Sequence, residues 1–240
     1  MFKKAFNYLL PDNCVVCNKL GVRSEDVSFN LPENFCMCSE CISKLVPVPK
    51  DRRWLLLLSE PFEEDPFPGQ VLYMPFTYDD LFKVLIPAIK FKKKQHLAEF
   101  LGMLLGNLMA NDNIVADVIV PIPLSEERLK ERGFNQAQVI ADAVSKVMNI
   151  EVVDALARVK NTKRQTGIKD NSLRSLNIMG AFKVSDELSI KGKTILLIDD
   201  VATTGHTMHE AVSELYKNGA KKVLCVALCG NRSVKNADPY

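Results

Sequence analysis

The sequence predicts an α/β fold, a parallel sheet with helices on both faces, preceded by a small metal-stapled module. Three observations carry that reading. Wholly apolar runs, Asp117-Val-Ile-Val-Pro-Ile, Ile195-Leu-Leu-Ile-Asp and Val223-Leu-Cys-Val-Ala-Leu, alternate with segments of helical periodicity. A strand that is apolar on both faces belongs in a parallel sheet covered on both sides. Five of the seven cysteines fall between Cys14 and Cys41, and the other two are Cys225 and Cys229. Finally, the net charge of +2 conceals an uneven distribution: residues 1–80 hold eight basic and twelve acidic side chains, and residues 81–240 hold twenty-three and seventeen.

Composition bounds the rest. With 240 residues, 47% hydrophobic and 25% charged, the chain can bury a sizeable core, which excludes wholesale disorder. The apolar runs, among them residues 54–58 and 223–229, are far short of the roughly 20 residues that span a bilayer. The start, Met1-Phe-Lys-Lys-Ala-Phe, has two lysines but only a broken apolar stretch and no small-residue cleavage site. A cytoplasmic protein with no membrane span is expected.

Residues 1–50 read as the metal-binding module. Cys14-Val-Val-Cys17 is followed, after twenty residues, by Cys38-Ser-Glu-Cys41. Tetrahedral zinc needs four thiolates at one point, and each C-x2-C turn delivers two of them. Cys36 is a fifth thiol, ranked below Cys38 because Cys36 and Cys38 would form a cramped chelate. The plainer alternative is a set of buried or redox-active cysteines. So short a segment, poor in large apolar groups, needs a staple to fold.

Residues 51–80 form a proline-bearing linker with peripheral strands, one of them within residues 54–58. Asp79-Asp80 reads as the start of a helix running to about Lys90. Apolar residues at helical spacing from Leu97 to Leu108 predict a second helix over 96–111, with His96 as a surface residue. Residues 81–240 hold the main domain. Beyond its first strand come a basic loop and a helix over 135–148. Its second strand leads through a Thr/Gly loop into a helix over 207–217 that Asn218-Gly219 stops. Cys225 and Cys229 sit inside the third strand and read as core fillers.

The chemistry lies in Ile195-Leu-Leu-Ile-Asp199-Asp200-Val-Ala-Thr203-Thr204-Gly205-His206-Thr207. A buried strand delivers two carboxylates to its carboxyl end, and a small-residue loop turns directly into a helix. Successive backbone N–H groups there form a nest for phosphate, aided by the hydroxyls of Thr203, Thr204 and Thr207. Two carboxylates beside a phosphate repel it unless they bind hydroxyls or a divalent cation. A sugar phosphate meets both demands, its ribose hydroxyls on Asp199 and Asp200 and its 5′-phosphate in the nest. The plainer alternative is a pair of aspartates that merely cap the helix.

That string resembles the phosphoribosyl pyrophosphate loop of type I phosphoribosyltransferases. Ile89-Lys90-Phe91, Pro121-Ile-Pro-Leu, Arg128, Arg132-Gly133-Phe134-Asn135-Gln136, Arg158, Thr162, Gln165-Thr-Gly, Arg174, Asn177 and Gly180-Ala-Phe extend the resemblance. Together they look like the ComF/GntX family of competence-associated phosphoribosyltransferase-like proteins, which begin with a four-cysteine zinc finger. The resemblance covers nearly the whole chain. It implies a type I phosphoribosyltransferase-like sheet with a zinc-ribbon-like module whose metal is held by Cys14, Cys17, Cys38 and Cys41. It also implies Asp199 and Asp200 in a catalytic role, with Val201, Ala202, Thr203, Thr204, Gly205, His206 and Thr207 binding substrate. His206 departs from the small residue expected in that loop and would either crowd the phosphate or add a cationic contact.

Phosphoribosyl pyrophosphate carries about five negative charges, which need compensation in a partly dry site. The segment 158–174 holds Arg158, Lys160, Lys163, Arg164, Lys169 and Arg174 against Asp170 alone, and by resemblance it closes over the substrate. Arg128 and Arg132 look like the pyrophosphate loop, and Lys90 reaches the same anion. The implied reaction is Mg2+-dependent phosphoribosyl transfer to an unknown acceptor. A second implication belongs to another class: a non-catalytic competence protein that binds single-stranded DNA and works with other DNA-uptake proteins, its ligand site regulatory or vestigial. Zinc ribbons and basic loops are compatible with that role, although the −4 of the first eighty residues argues against the module as the main contact.

Overall fold

A computed structural model describes residues 13–19, 35–56, 70–160, 180–202 and 205–231. In chain order these form α1 (Ser39–Ile42), β1 (Trp54–Leu56), β2 (Val71–Tyr73), β3 (Phe76–Thr77), α2 (Phe82–Phe91), α3 (Gln95–Asn111) and β4 (Val118–Pro121). There follow α4 (Glu126–Arg132), α5 (Gln136–Met148), β5 (Glu151–Val152), β6 (Leu156–Arg158), β7 (Phe182–Val184), β8 (Thr194–Ala202), α6 (His206–Lys217) and β9 (Lys222–Gly230). The main sheet runs β1-β2-β9-β8-β4-β5, with β3 beside β9, and β6 and β7 make a separate antiparallel ribbon. Every pairing in the main sheet is parallel except that of β1 with β2.

The three apolar runs become β4, β8 and β9, the adjacent strands at the centre. Their side chains alternate between two cores. Leu196, Ile198, Leu224 and Val226 pack under α2, α3 and α5 with Leu85, Leu101, Ile140 and Val144. Ile195, Leu197, Val223 and Cys225 face Met208, Ala211, Val212 and Leu215 of α6. Cys225 and Cys229 are fully buried, one in each core, as core fillers should be. A strand with period 2 and a helix on each side can only be apolar throughout.

Helix ends follow local chemistry. The Asp79 carboxylate accepts from the Phe82 N–H at 3.0 Å, Ser125 Oγ from Arg128 N at 3.4 Å, and Asn135 Oδ1 from Ala137 N at 3.1 Å. Each satisfies a donor that the first helical turn leaves unpaired. Gly133, at φ 83°, ends α4 in the left-handed region.

The cysteine segment does not stand apart from the domain. Cys14, Phe35, Met37, Cys38, Cys41 and Leu45 belong to the same apolar cluster as α2 and α3, and the Phe35 and Phe100 rings lie 4.7 Å apart. His96 is half-buried, and its Nε2 lies 3.3 Å from Cys36 Sγ. This corrects the expectation of a surface histidine: α3 turns its first residues toward the cysteine segment. Behind it, Asp112, at the end of α3, accepts from Arg53 Nη1 at 2.7 Å and from the Tyr73 hydroxyl at 2.8 Å. A carboxylate so enclosed needs both partners to offset its lost hydration.

The contact between α3 and α5 depends on glycine. A Cβ on Gly102 would lie 2.7 Å from Ala143 Cβ and 2.9 Å from the Ile140 carbonyl oxygen. We expect Gly102→Leu to force the two helices apart and to lower the free energy of unfolding by about 1–3 kcal/mol, the cost of overpacking, as read from urea denaturation; an unchanged midpoint would contradict this packing.

Candidate functional site

The site forms at the carboxyl end of β8. The strand carries Asp199 and Asp200 in its last turns of pleat and continues to Ala202, whose partner on β9 is Gly230. A Cβ at Gly230 would sit 2.0 Å from the Ala202 oxygen, so glycine alone lets β9 run this close beneath the loop. Gly205 adopts φ 77° and is the N-cap of α6, a conformation that costs glycine nothing. Val201 and Thr207 are half-buried and Ala202 is buried. His206 is buried at the head of α6, 7% exposed. Thr203 and Thr204 lie outside the described residues.

The carboxylates differ in partner. Asp200 is buried and its Oδ2 lies 2.8 Å from Lys90 Nζ, an ion pair whose side chains are 19% (Lys90) and 9% (Asp200) exposed. Asp199 Oδ1 instead accepts from the Asp200 N–H at 2.8 Å. Burial, reinforced by the neighbouring Asp200 charge, pushes the Asp199 carboxyl up to about 7, against the opposing pull of Lys90. Lys90 comes from the last turn of α2, so that helix supplies the counterion of the strand end.

Two arginines approach from the other side. Arg158 ends β6, and its guanidinium lies over the Phe182 ring of β7, 5.4 Å from the centroid. Burial lowers its pKa, repulsion from Arg128 adds to the effect, and Asp199 opposes it; Arg128, Arg158 and Asp199 therefore share one electrostatic neighbourhood. Arg132 turns inward instead. It is buried, donates to Gln136 Oε1 at 2.7 Å and lies over the Phe91 ring at 5.9 Å, bracing the junction beside Lys90. Arg164 and Arg174 lie outside the described residues.

Some contributors carry no local signature in the sequence. Glu210 and Glu214 of α6 accept from the backbone N–H groups of Gly180 and Val184, holding the β6–β7 ribbon against the helix that heads the loop. Their four-residue spacing places them on one helix face, but nothing in that spacing names β7 as the partner.

The second cluster is the cysteine set. The sulfurs of Cys14, Cys17, Cys38 and Cys41 all lie within 4.8 Å of one another, and those of Cys17 and Cys38 are 3.6 Å apart. Sulfurs at zinc–thiolate distance on a tetrahedron are separated by about 3.8 Å, so the donor set fits such an ion. Turns deliver them: Asn18 N donates to the Cys14 carbonyl at 2.8 Å and Cys41 N to the Cys38 carbonyl at 3.0 Å. The burial of Cys14 acts upward on its thiol, yet backbone N–H groups of Cys17, Cys38 and Val16 bring it down to about 6. Burial and the adjoining sulfurs push Cys41 up. Packed without a cation, four sulfurs cannot all ionise; a dication removes the conflict. Cys36 is outside this set and turned toward His96.

Paired acids at the carboxyl end of a central parallel strand, turning through a left-handed glycine into a helix, make this a protein of the type I phosphoribosyltransferase fold. The phosphoribosyl transferase domain model matches residues 132–239. The chain is 31% identical over 172 residues to DNA utilization protein YhgH of Escherichia coli (strain K12), across 69% of this chain and 74% of that one. It is 34% identical over 148 residues to competence protein ComFC of Bacillus subtilis (strain 168), across 60% and 57%. The chain belongs to the ComF family. Among solved structures it is similar to the glutamine phosphoribosylpyrophosphate amidotransferase of B. subtilis, with 19% identity and a TM-score of 0.39 over 54% of this chain and 25% of that one. It is also similar to a purine phosphoribosyltransferase of Pyrococcus horikoshii, with 18% identity and a TM-score of 0.35 over 58% and 78%. No helix among the described residues is long and apolar enough to cross a membrane.

Two outcomes test these sites. Elemental analysis should find about one zinc per chain, retained in Cys36→Ser and lost in Cys14→Ser; loss in Cys36→Ser with retention in Cys38→Ser would reassign the ligands. For Asp199, the folded carboxyl titrates near 7 and the unfolded one at about 3.9, so the native state holds the extra proton and stability falls as pH rises between these values. Asp199→Asn should therefore melt above the parent at pH 8, by roughly 2–4 °C for each kcal/mol that the buried charge costs, and with it at pH 3.5. Equal melting at both would place the carboxyl in open water.

Proposed function

We propose that the protein binds phosphoribosyl pyrophosphate with Mg2+ and transfers the phosphoribosyl group to an acceptor, as part of DNA uptake. The observation that carries this is the strand end itself: two adjacent carboxylates, one buried against Lys90 and one half-buried beside Arg158, opening into the Gly205 turn and the N-terminus of α6. Asp199 and Asp200 would take the ribose hydroxyls, and the loop N–H groups with Thr207 the 5′-phosphate. Arg128 and Arg158 would face the pyrophosphate, with Arg164 and Arg174 of segment 158–174 joining them. Mg2+ supplies further neutralisation of the pyrophosphate charge when bound.

In the reaction the acceptor's electron pair forms a bond to the anomeric carbon while the carbon–oxygen bond to pyrophosphate breaks, its pair leaving on pyrophosphate. The acceptor's proton needs a base. Asp199 suits that task better than Asp200, because its pKa near 7 matches a working base and Asp200 is held by Lys90. The role in DNA uptake is supported by membership of the family and by relatives named for competence and DNA utilization. A non-catalytic reading, single-stranded DNA binding with a regulatory ligand site, draws on one surface: Phe91, 48% exposed, is followed by Lys92, Lys93 and Lys94, a base-stacking ring beside cations.

Incubation with phosphoribosyl pyrophosphate, Mg2+ and a panel of bases, amines and single-stranded DNA, with pyrophosphate release as the readout, decides between the two. Under the catalytic reading some acceptor stimulates release, the rate rises about tenfold from pH 6 to pH 8 as Asp199 ionises, and Asp199→Asn with Asp200→Asn abolishes Mg2+-dependent binding in calorimetry. Salt-sensitive DNA binding with no phosphoribosyl pyrophosphate binding selects the other.

A further inference from the structure

A cavity of about 350 Å³ lies where the amino ends of β8 and β9 meet Trp54 of β1 and the turn that leaves α3. Thr194, on its rim, and Asp200 both belong to β8, and six residues of extended strand span about 20 Å. The cavity is therefore no part of the acid pair's site. Trp54 gives it an aromatic side, and the buried Ile114 and Leu224 give it an apolar base. Its polar lining is the exposed Asn113 and Lys222 with the half-buried Thr194. An apolar hollow with a few convergent polar groups is the usual form of a small-molecule site.

The walls are held before any ligand arrives. The Trp54 ring stands edge-on to that of Tyr73, with centroids 5.2 Å apart, and the Tyr73 hydroxyl is tied to Asp112, which Arg53 also grips. Asn113 takes the left-handed region at φ 58°, and the N–H groups of Asn113 and Ile114 donate to the carbonyls of Ala110 and Met109. Thr194 N donates to Asp117 Oδ2 at 2.7 Å, and the Thr194 carbonyl accepts from the Asp117 N–H at 2.9 Å. Walls fixed in this way lose little freedom on binding.

The charge at this edge is positive. The N–H groups of Lys221 and Lys222 both donate to the Lys193 carbonyl, which brings the three residues together. None of them enters an ion pair among the described residues. The neighbouring acids are engaged, Asp112 by Arg53 and Lys50 and Asp117 by the Thr194 N–H.

We propose that this cavity is a second ligand site and that it takes a nucleoside monophosphate. The base lies against the Trp54 ring and over Ile114 and Leu224, its polar edge toward Asn113 and Thr194, and the phosphate meets Lys222 and the lysines beside it. Stacking on an aromatic ring accepts any base, and clustered lysines favour a dianionic phosphate over a single carboxylate. The proposal stands on this cavity alone and is independent of the phosphoribosyl reading of the strand end.

Trp54 is the single tryptophan of the chain, so its fluorescence, excited where nucleotides do not absorb, reports directly on the cavity. Adenosine and uridine monophosphates are titrated into the zinc-loaded full chain without Mg2+ or phosphoribosyl pyrophosphate. At least one should quench saturably with a midpoint below about 1 mM, while adenosine, uridine and ribose phosphate, each lacking one half of the ligand, should not in that range. Lys222→Glu should weaken the effect about tenfold, the loss of one charge-assisted contact. Lys222→Gln carries the test if that variant does not fold. Asp199→Asn with Asp200→Asn should keep the parent's curve. Absence of saturable quenching by either nucleotide, or an unchanged curve in the Lys222 variants, overturns the proposal. So does loss of quenching in the double aspartate variant, which would move the nucleotide to the strand end. A phosphorylated oligonucleotide that quenches at a markedly lower concentration than either mononucleotide overturns it as well, since the occupant would then be a nucleic-acid strand.

Discussion

A carboxylate enclosed at the end of a central strand must meet a cation, and the meeting of Asp200 with Lys90 organises the rest of the molecule. The strand cannot turn the carboxylate outward, because both faces of β8 are committed to cores. The counterion therefore has to come from a neighbouring element, and the last turn of α2 supplies it as Lys90. An unpaired charge in such a place would cost several kcal/mol, so the position of α2 is a condition of having the acid at all.

The same condition gives the cysteine segment its purpose in the fold. α2 and α3 together cover one side of the sheet, and Phe35, Met37, Cys14, Cys38 and Cys41 pack into the same apolar cluster. The contact of Cys36 with His96 and of Phe35 with Phe100 places the segment on α3 within a few residues of the turn that follows Lys90. Cysteine segment, helix pair and strand end form a continuous packed series. The expected boundary near residue 50 thus marks a change of composition, while the apolar core runs across it.

The two neighbouring acids at the strand end sit in different surroundings. Asp200 is buried and paired with Lys90. Asp199, one residue away, has a backbone N–H for a partner and a pKa near 7. Two side chains of the same type acquire different partners and different acidities from their surroundings. Gly205 supplies the left-handed turn into α6, and Gly230 allows β9 to pass close to Ala202.

Local patterns in the sequence were enough for whatever depends on neighbours along the chain. Apolar runs mark β4, β8 and β9, 3.6-residue periodicity marks α3 and α5, and the Asp-Asp pair lies at the end of β8 before Gly205. The paired C-x2-C turns select Cys38 over Cys36, and the sulfurs converge accordingly. Contacts between distant segments were not legible, because no local signal encodes a partner: Lys90 with Asp200, His96 with Cys36, Arg132 turned inward to Gln136, and Glu210 and Glu214 on the β6–β7 ribbon. The sequence by itself determined which side chains could do chemistry, since strand period, turn residues and thiol spacing are short-range properties. Tertiary structure alone decided which of them are charged, buried or paired, since desolvation and Coulomb energy depend on what packing brings within a few ångströms.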